Sequence, residues 1–140
     1  MNPSLDPASA KPLSGGCRCG AVRYEVADEF MYAVYCHCSD CRRTTGSAFK
    51  PLAGIQRSKL KITQGHEGLL IFGDVAACHD VHCRVCGSLL YSAVDGGRYH
   101  VAMGTLIDAP KIRPTAHIFV SDKAPWHEIT DSLPQHAEHA

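Results

Sequence analysis

The stretch Cys36-His37-Cys38-Ser39-Asp40-Cys41 brings three thiols into six residues, and it constrains the chain more than any other feature. Soft thiolates suit zinc, and a ligand spacing of one or two residues lets one short turn wrap a tetrahedral ion. Three local ligands leave one coordination position to be filled. A side chain from elsewhere would make the site structural, whereas an external ligand would make it reactive.

The other cysteines follow the same pattern. Of the 8 in the chain, seven fall into Cys-x-Cys or Cys-x-x-Cys groups: 17/19, 36/38/41 and 83/86. Such close pairs bridge poorly with one another but chelate well. Met1 to Gly16 mixes Pro, Ser, Asp and Lys without an apolar core, so it does not read as a secretory signal. No run approaches the roughly 18 apolar residues of a membrane helix. The cytosol, where thiols stay reduced, is the expected compartment. Lys+Arg 14 against Asp+Glu 14 leaves no net field to favour nucleic acid or an anionic membrane.

At 140 residues the chain is expected to form one domain with its own core. Residues 1–14, with Pro3, Pro7 and Pro12, read as a loose leader, 15–134 as a zinc-binding β domain and 135–140 as a polar tail. Strands are expected at 21–26, 30–35, 47–52, 60–63, 69–72, 88–94, 99–103 and 116–120, from apolar–polar alternation and short apolar runs. Gln64-Gly65 and Asp95-Gly96-Gly97 are turn signals, and Arg42 to Gly46 reads as a short helical turn. No segment sustains a 3.6-residue period, so the class is mainly β, built of short antiparallel strands.

Cys83-x-x-Cys86-Gly87 is a zinc knuckle, which supplies half of a tetrahedral site and needs a second pair. Cys17/Cys19 can complete it, or two of Cys36, Cys38 and Cys41 can. The second choice strands Cys17 and Cys19, so counting ligands favours the first. Cys78 then either supplies the fourth ligand to Cys36, Cys38 and Cys41 or is an ordinary buried thiol, and spacing alone does not decide between them.

Gly-Cys17-x-Cys19-Gly and Cys36-His-Cys38-x-x-Cys41-Arg, followed by Gly46-Ser-Ala-Phe49, resemble the glutathione-dependent formaldehyde-activating enzyme family, which includes centromere protein V. So do Cys83-x-x-Cys86-Gly-Ser, Val101-Ala-Met-Gly-Thr-Leu106 and His117-Ile-Phe-Val-Ser-x-Lys-x-Pro-Trp126. The resemblance implies an Mss4-like β-tent with two zinc ions. It assigns Cys17, Cys19, Cys83 and Cys86 to a structural ion and Cys36, Cys38 and Cys41 to an open, catalytic one. The activity it implies is that of a carbon–sulfur lyase-type enzyme, adding a thiol such as glutathione reversibly to a formaldehyde-like aldehyde. Cys78 lies outside the family pattern, and Ile107 separates Leu106 from Asp108, which usually follows directly.

The carboxylates of a glutathione-like thiol need cations. Arg42 and Arg43 follow the cluster directly, with Lys50 and Lys123 behind them, while Arg18 and Arg84 offset thiolate charge. His37, between two ligands, is either an acid–base group or a solvated side chain. Trp126 is either an anchor or a substrate-stacking ring. The rival reading is a non-catalytic, zinc-braced module that binds a protein. A methionine sulfoxide reductase would need a redox cysteine after Cys86, and a zinc deaminase would need His-x-Glu ahead of Pro-Cys-x-x-Cys; the sequence has neither.

Overall fold

A computed structural model describes residues 11–140, and the larger part of the expected leader, residues 1–10, lies outside them. Ten strands and one α-helix are seen among these residues. In chain order they are β1 (Leu13–Gly16), β2 (Arg23–Val26), β3 (Tyr32–Cys36), α1 (Ser39–Thr45), β4 (Lys50–Gln56), β5 (Leu60–Gln64), β6 (Leu69–Gly73), β7 (His79–Cys83), β8 (Leu89–Val94), β9 (Arg98–Ala102) and β10 (His117–Ile118). They form a three-stranded sheet, β1-β2-β5, and a seven-stranded sheet, β10-β3-β4-β9-β8-β7-β6. Within these sheets only β10 and β3 run parallel.

Alternation gives the large sheet two different faces. Ala53, Val101, Tyr91 and Val81 lie in one row across it, and the last three pack with Ile55 against the small sheet's Leu13, Tyr24, Val26 and Leu60. This is the main core. Each fully buried large side chain there contributes about 1.5–3 kcal/mol. The opposite face carries a smaller cluster, in which Val34, Leu52 and Ala116 surround Cys36. A period of two therefore puts the core and the cysteine cluster on opposite sides of the same strands.

Several boundaries differ from those expected. β1 begins at Leu13, inside the segment read as leader, because Leu13 is buried and its strand pairs with β2. Its Gly15 lies opposite Tyr24, whose ring fills the space that a Cβ at Gly15 would occupy. β7 was not expected as a strand, since only Val81 and Cys83 of its polar sequence are buried; pairing on both sides with β6 and β8 makes it one. The last strand shrinks to two residues because Phe119 adopts a left-handed φ of 55° and turns the chain away.

The tail is not loose. Phe119 N donates to Glu138 O at 2.8 Å and His136 N to His117 O at 2.9 Å, so the tail lies along the 117–121 segment. Ile107 is accommodated outward, 57% exposed, while Asp108 Oδ2 accepts from Ser14 N at 2.8 Å and holds its loop to β1. Among the described residues no helix is long and apolar enough to cross a membrane.

Candidate metal centres

Cys17 and Cys19 stand in the loop between β1 and β2, which turns at Gly20 with φ 82°. Cys83 and Cys86 stand in the turn between β7 and β8, where Gly87 has φ 80°. The small sheet, packed on the large one, brings these two loops together. All four sulfurs lie within 4.8 Å of one another, with Cys17–Cys19 at 3.6 Å and Cys19–Cys83 at 3.8 Å. A tetrahedral ion with Zn–S bonds of about 2.3 Å sets its sulfurs about 3.8 Å apart, so the donor set and its size fit zinc. Val22 N donates to Cys17 Sγ at 3.2 Å, and hydrogen bonds from Ser88 lead in lowering the Cys86 thiol to about 5. Ligand counting favoured this grouping of four, and the three remaining clustered cysteines form a separate group.

Cys36, Cys38 and Cys41 also have their sulfurs within 4.8 Å of one another. The local chain explains why. Cys36 ends β3 and is 4% exposed, and Cys38 is the N-cap of α1, its Sγ accepting from Cys41 N at 3.2 Å. Cys41 lies in the first helical turn. The helix is only seven residues long and stops at Gly46 in the left-handed conformation, so its caps hold it rather than its length. Hydrogen bonds from Cys36 first, then from Cys41, hold the Cys38 thiol far below its ordinary range, while those with Cys36 and then Cys38 push Cys41 up. Three negative charges this close would repel one another. A cation is what lets all three ionise, so this group too fits zinc.

Cys78 is neither of the two things expected of it. It is exposed, it sits just before β7 at the end away from Cys83, and its Sγ lies 3.5 Å from Asp95 Oδ1. Five residues of extended strand, at about 3.3 Å each, separate it from the knuckle.

His37 is fully buried, not solvated. It points to the face opposite Cys36, against the Phe49 and His127 rings, and its Nε2 lies 2.8 Å from His117 Nδ1. His117 Nε2 in turn lies 3.0 Å from Asp131 Oδ2. This chain of groups escaped sequence reasoning because 80 residues separate His37 from His117. Arg42 is half-buried with Nε unpartnered, Arg43 is exposed, and Trp126 is 70% exposed.

Two cavities lie near the three-cysteine group; none of its cysteines lines either, and the larger meets Cys86 of the four-cysteine group. The larger, about 400 Å³, lies between α1 and the knuckle, with hydroxyls from Thr44, Thr45, Ser47, Ser88 and Thr105 and with Lys50 in its walls. Thr44 and Thr45 follow Cys41 by three and four positions, which places them on its side of the helix. Lys50 is the cross-strand partner of Cys36, and its buried Nζ donates to Ser92 Oγ at 3.2 Å. The smaller cavity, about 260 Å³, lies farther along the same sheet face, between Val34, Leu52 and His100. Arg42, Arg43 and Trp126 line neither.

Fold and site together define a β domain whose loops gather two groups of thiols, each sized for a metal ion. The profile of the family described as "Glutathione-dependent formaldehyde-activating enzyme" matches residues 12–122, and the chain belongs to that family. A protein of Colletotrichum graminicola named "Putative glutathione-dependent formaldehyde-activating enzyme" is 26% identical over 136 residues, which cover 91% of this chain and 66% of that one, just under two thirds of its length. A protein of Halomonas elongata with the same name is 28% identical over 128 residues, covering 84% of this chain and 80% of its own. A crystal structure of a Rhodobacter sphaeroides protein superposes with a TM-score of 0.58 at 27% identity, covering 71% of this chain and 92% of that one.

Proposed function

We propose that this protein is a zinc-dependent carbon–sulfur lyase-type enzyme that binds a thiol such as glutathione and adds it reversibly to a small aldehyde. Cys17, Cys19, Cys83 and Cys86 would hold one zinc in a closed, structural set, and Cys36, Cys38 and Cys41 would hold a second. That second ion, when bound, supplies an open and electron-rich position suited to capturing an external thiol as thiolate rather than to making hydroxide.

The residues of the chain do the rest. The cap of α1 fixes Cys38 and Cys41 against Cys36, so the three sulfurs are preorganised. Lys50, directly across the sheet from Cys36, offsets the negative charge that a further sulfur brings. The hydroxyl-lined cavity of about 400 Å³ suits the peptide body of glutathione, whose amides and carboxylates need many donors and acceptors. The thiol sulfur then forms a bond to the carbonyl carbon, and the proton lost from the thiol ends on the carbonyl oxygen. The reverse reaction breaks the same carbon–sulfur bond. Arg42 and Arg43, in the last turn of α1, remain candidates for a substrate carboxylate, and Trp126 remains a candidate for stacking on substrate; all three act from outside the two cavities.

The observation that carries this reading is the position of Cys78, far from a three-thiol group that no fourth described cysteine completes. The test is Cys38→Ser, expected to bind about one equivalent of zinc less than the parent while its circular dichroism is retained. Loss of folding in that variant would make the second site structural and sink the enzyme reading. The rival, a protein-binding module, draws on Ile71 and Phe72 exposed on edge strand β6. Full zinc with no thiol-dependent consumption of aldehyde would favour it.

A further inference from the structure

The smaller cavity is built unlike the larger one. Its floor is Val34, Leu52 and Ile118, the residues that pack around the three cysteines: Val34 and Leu52 are register partners, and Ile118 is the partner of Cys36. Its floor therefore packs against the three cysteines, none of which lines it, and the tail residues His139 and Ala140 close its other side. Its far end is polar. Arg98 Nη1 donates to Tyr32 Oη at 2.6 Å, which leaves the tyrosine proton to donate to His100 Nε2, also at 2.6 Å. This keeps the imidazole proton on Nδ1 as a further donor.

No carboxylate of the described residues lies within ion-pairing distance of Arg98. Lys50 has only the Ser92 hydroxyl, which passes its own proton to Asp80 at 2.5 Å. Burial first, then the charges of Lys50 and Arg98, lower His100 to about 4, so the imidazole stays neutral between two cations. An apolar trough with unpaired positive charge at one end is built for a molecule with an apolar body and an anionic end.

Size points the same way. A one-carbon aldehyde is hardly larger than a water molecule, whose share of liquid volume is about 30 Å³. It would leave most of a cavity of about 260 Å³ empty. We infer that this cavity is the pocket for the carbonyl substrate, and that the substrate class is an aldehyde with a body of several carbons and a terminal carboxylate, seated on Val34, Leu52 and Ile118 and anchored by Arg98. The assignment builds on the thiol-adding reading above: the larger cavity takes the thiol, the smaller the electrophile.

The test uses unreactive probes on the full zinc-loaded chain, with affinities from titration calorimetry. Hexanoate, which has the body and the anion, is expected to bind at least tenfold more tightly than acetate or neutral hexanamide. Arg98→Met should lower hexanoate affinity about tenfold, the worth of one charge-assisted hydrogen bond. Ile118→Trp, which fills the trough without touching the polar end, should abolish it. Equal binding of hexanoate and hexanamide, or no binding of either, overturns the assignment on the parent protein alone, so a variant that fails to fold does not leave the question open. Glutathione titrated into the same parent is a separate arm. Hexanoate binding without glutathione binding would sink the thiol reading and leave the anionic, apolar pocket in place.

Discussion

His37 Nε2 lies 2.8 Å from His117 Nδ1, deep under the 36–41 cysteine loop and on the opposite side of the strand from the cysteine sulfurs. The direction of the proton follows from the surface inward. Asp131 can only accept, its carboxyl held below the usual range first by the hydrogen bond from His117. A neutral His117 then carries its proton on Nε2 and accepts at Nδ1 from His37. A carboxylate on the C-terminal segment thus sets the tautomer of a ring between two cysteines.

If that chain pins the 36–41 loop, His117→Leu should leave His37 Nε2 buried without a partner and destabilise the protein by about 1–3 kcal/mol. Urea denaturation of the zinc-loaded protein measures this. Asp131→Asn, at a half-exposed position, should cost much less.

The four-cysteine group should matter most for folding. It ties the β1–β2 loop to the β7–β8 turn, and structural zinc can contribute on the order of 10 kcal/mol. Cys83→Ser, or a strong chelator, should therefore unfold the domain by circular dichroism, whereas Cys38→Ser should not. A folded, zinc-depleted Cys83→Ser would show that packing alone holds the two sheets.

Cys78 is expected to be chemically separate from both groups. Alkylation under native conditions should modify it first, and Cys78→Ser should keep the parent's zinc content. A variant that binds one zinc less would place Cys78 among the ligands after all.

His100 makes stability depend on pH. Its folded value of about 4 lies below the ordinary 6.5, so the unfolded chain binds the extra proton. The contribution is fully present above pH 6.5 and is lost as pH falls toward 4. After allowance for partial exposure, about 1–2 kcal/mol should disappear across that window. The measurement is the difference in urea stability between parent and His100→Gln at pH 7 and pH 5. Acid loss of metal is common to both proteins and cancels, and an unchanged difference would refute the prediction.

How much of this could be read beforehand follows from the range of the signals. Alternation in Arg23-Tyr24-Glu25-Val26 marks β2, and Asp95-Gly96-Gly97 marks the β8–β9 hairpin, with both glycines at positive φ. Such features lie within a few residues of what they determine. β7 was missed because His79-Asp80-Val81-His82-Cys83 has no strong pattern of its own, and its neighbours in the sheet make it a strand.

The site divides in the same way. Ligand spacing within 36–41 and 83–86 is a property of one turn of chain, and so the sequence by itself determined that these thiols lie close enough together to hold a metal ion. Only the tertiary structure decided the rest: that Cys78 stands apart, that His37 turns inward to His117, and that Arg98 and His100 close a cavity floored by Val34, Leu52 and Ile118. Each of these depends on which strands lie side by side and which face a side chain takes, and that is settled by burial summed over both sheets, not by any local run of residues.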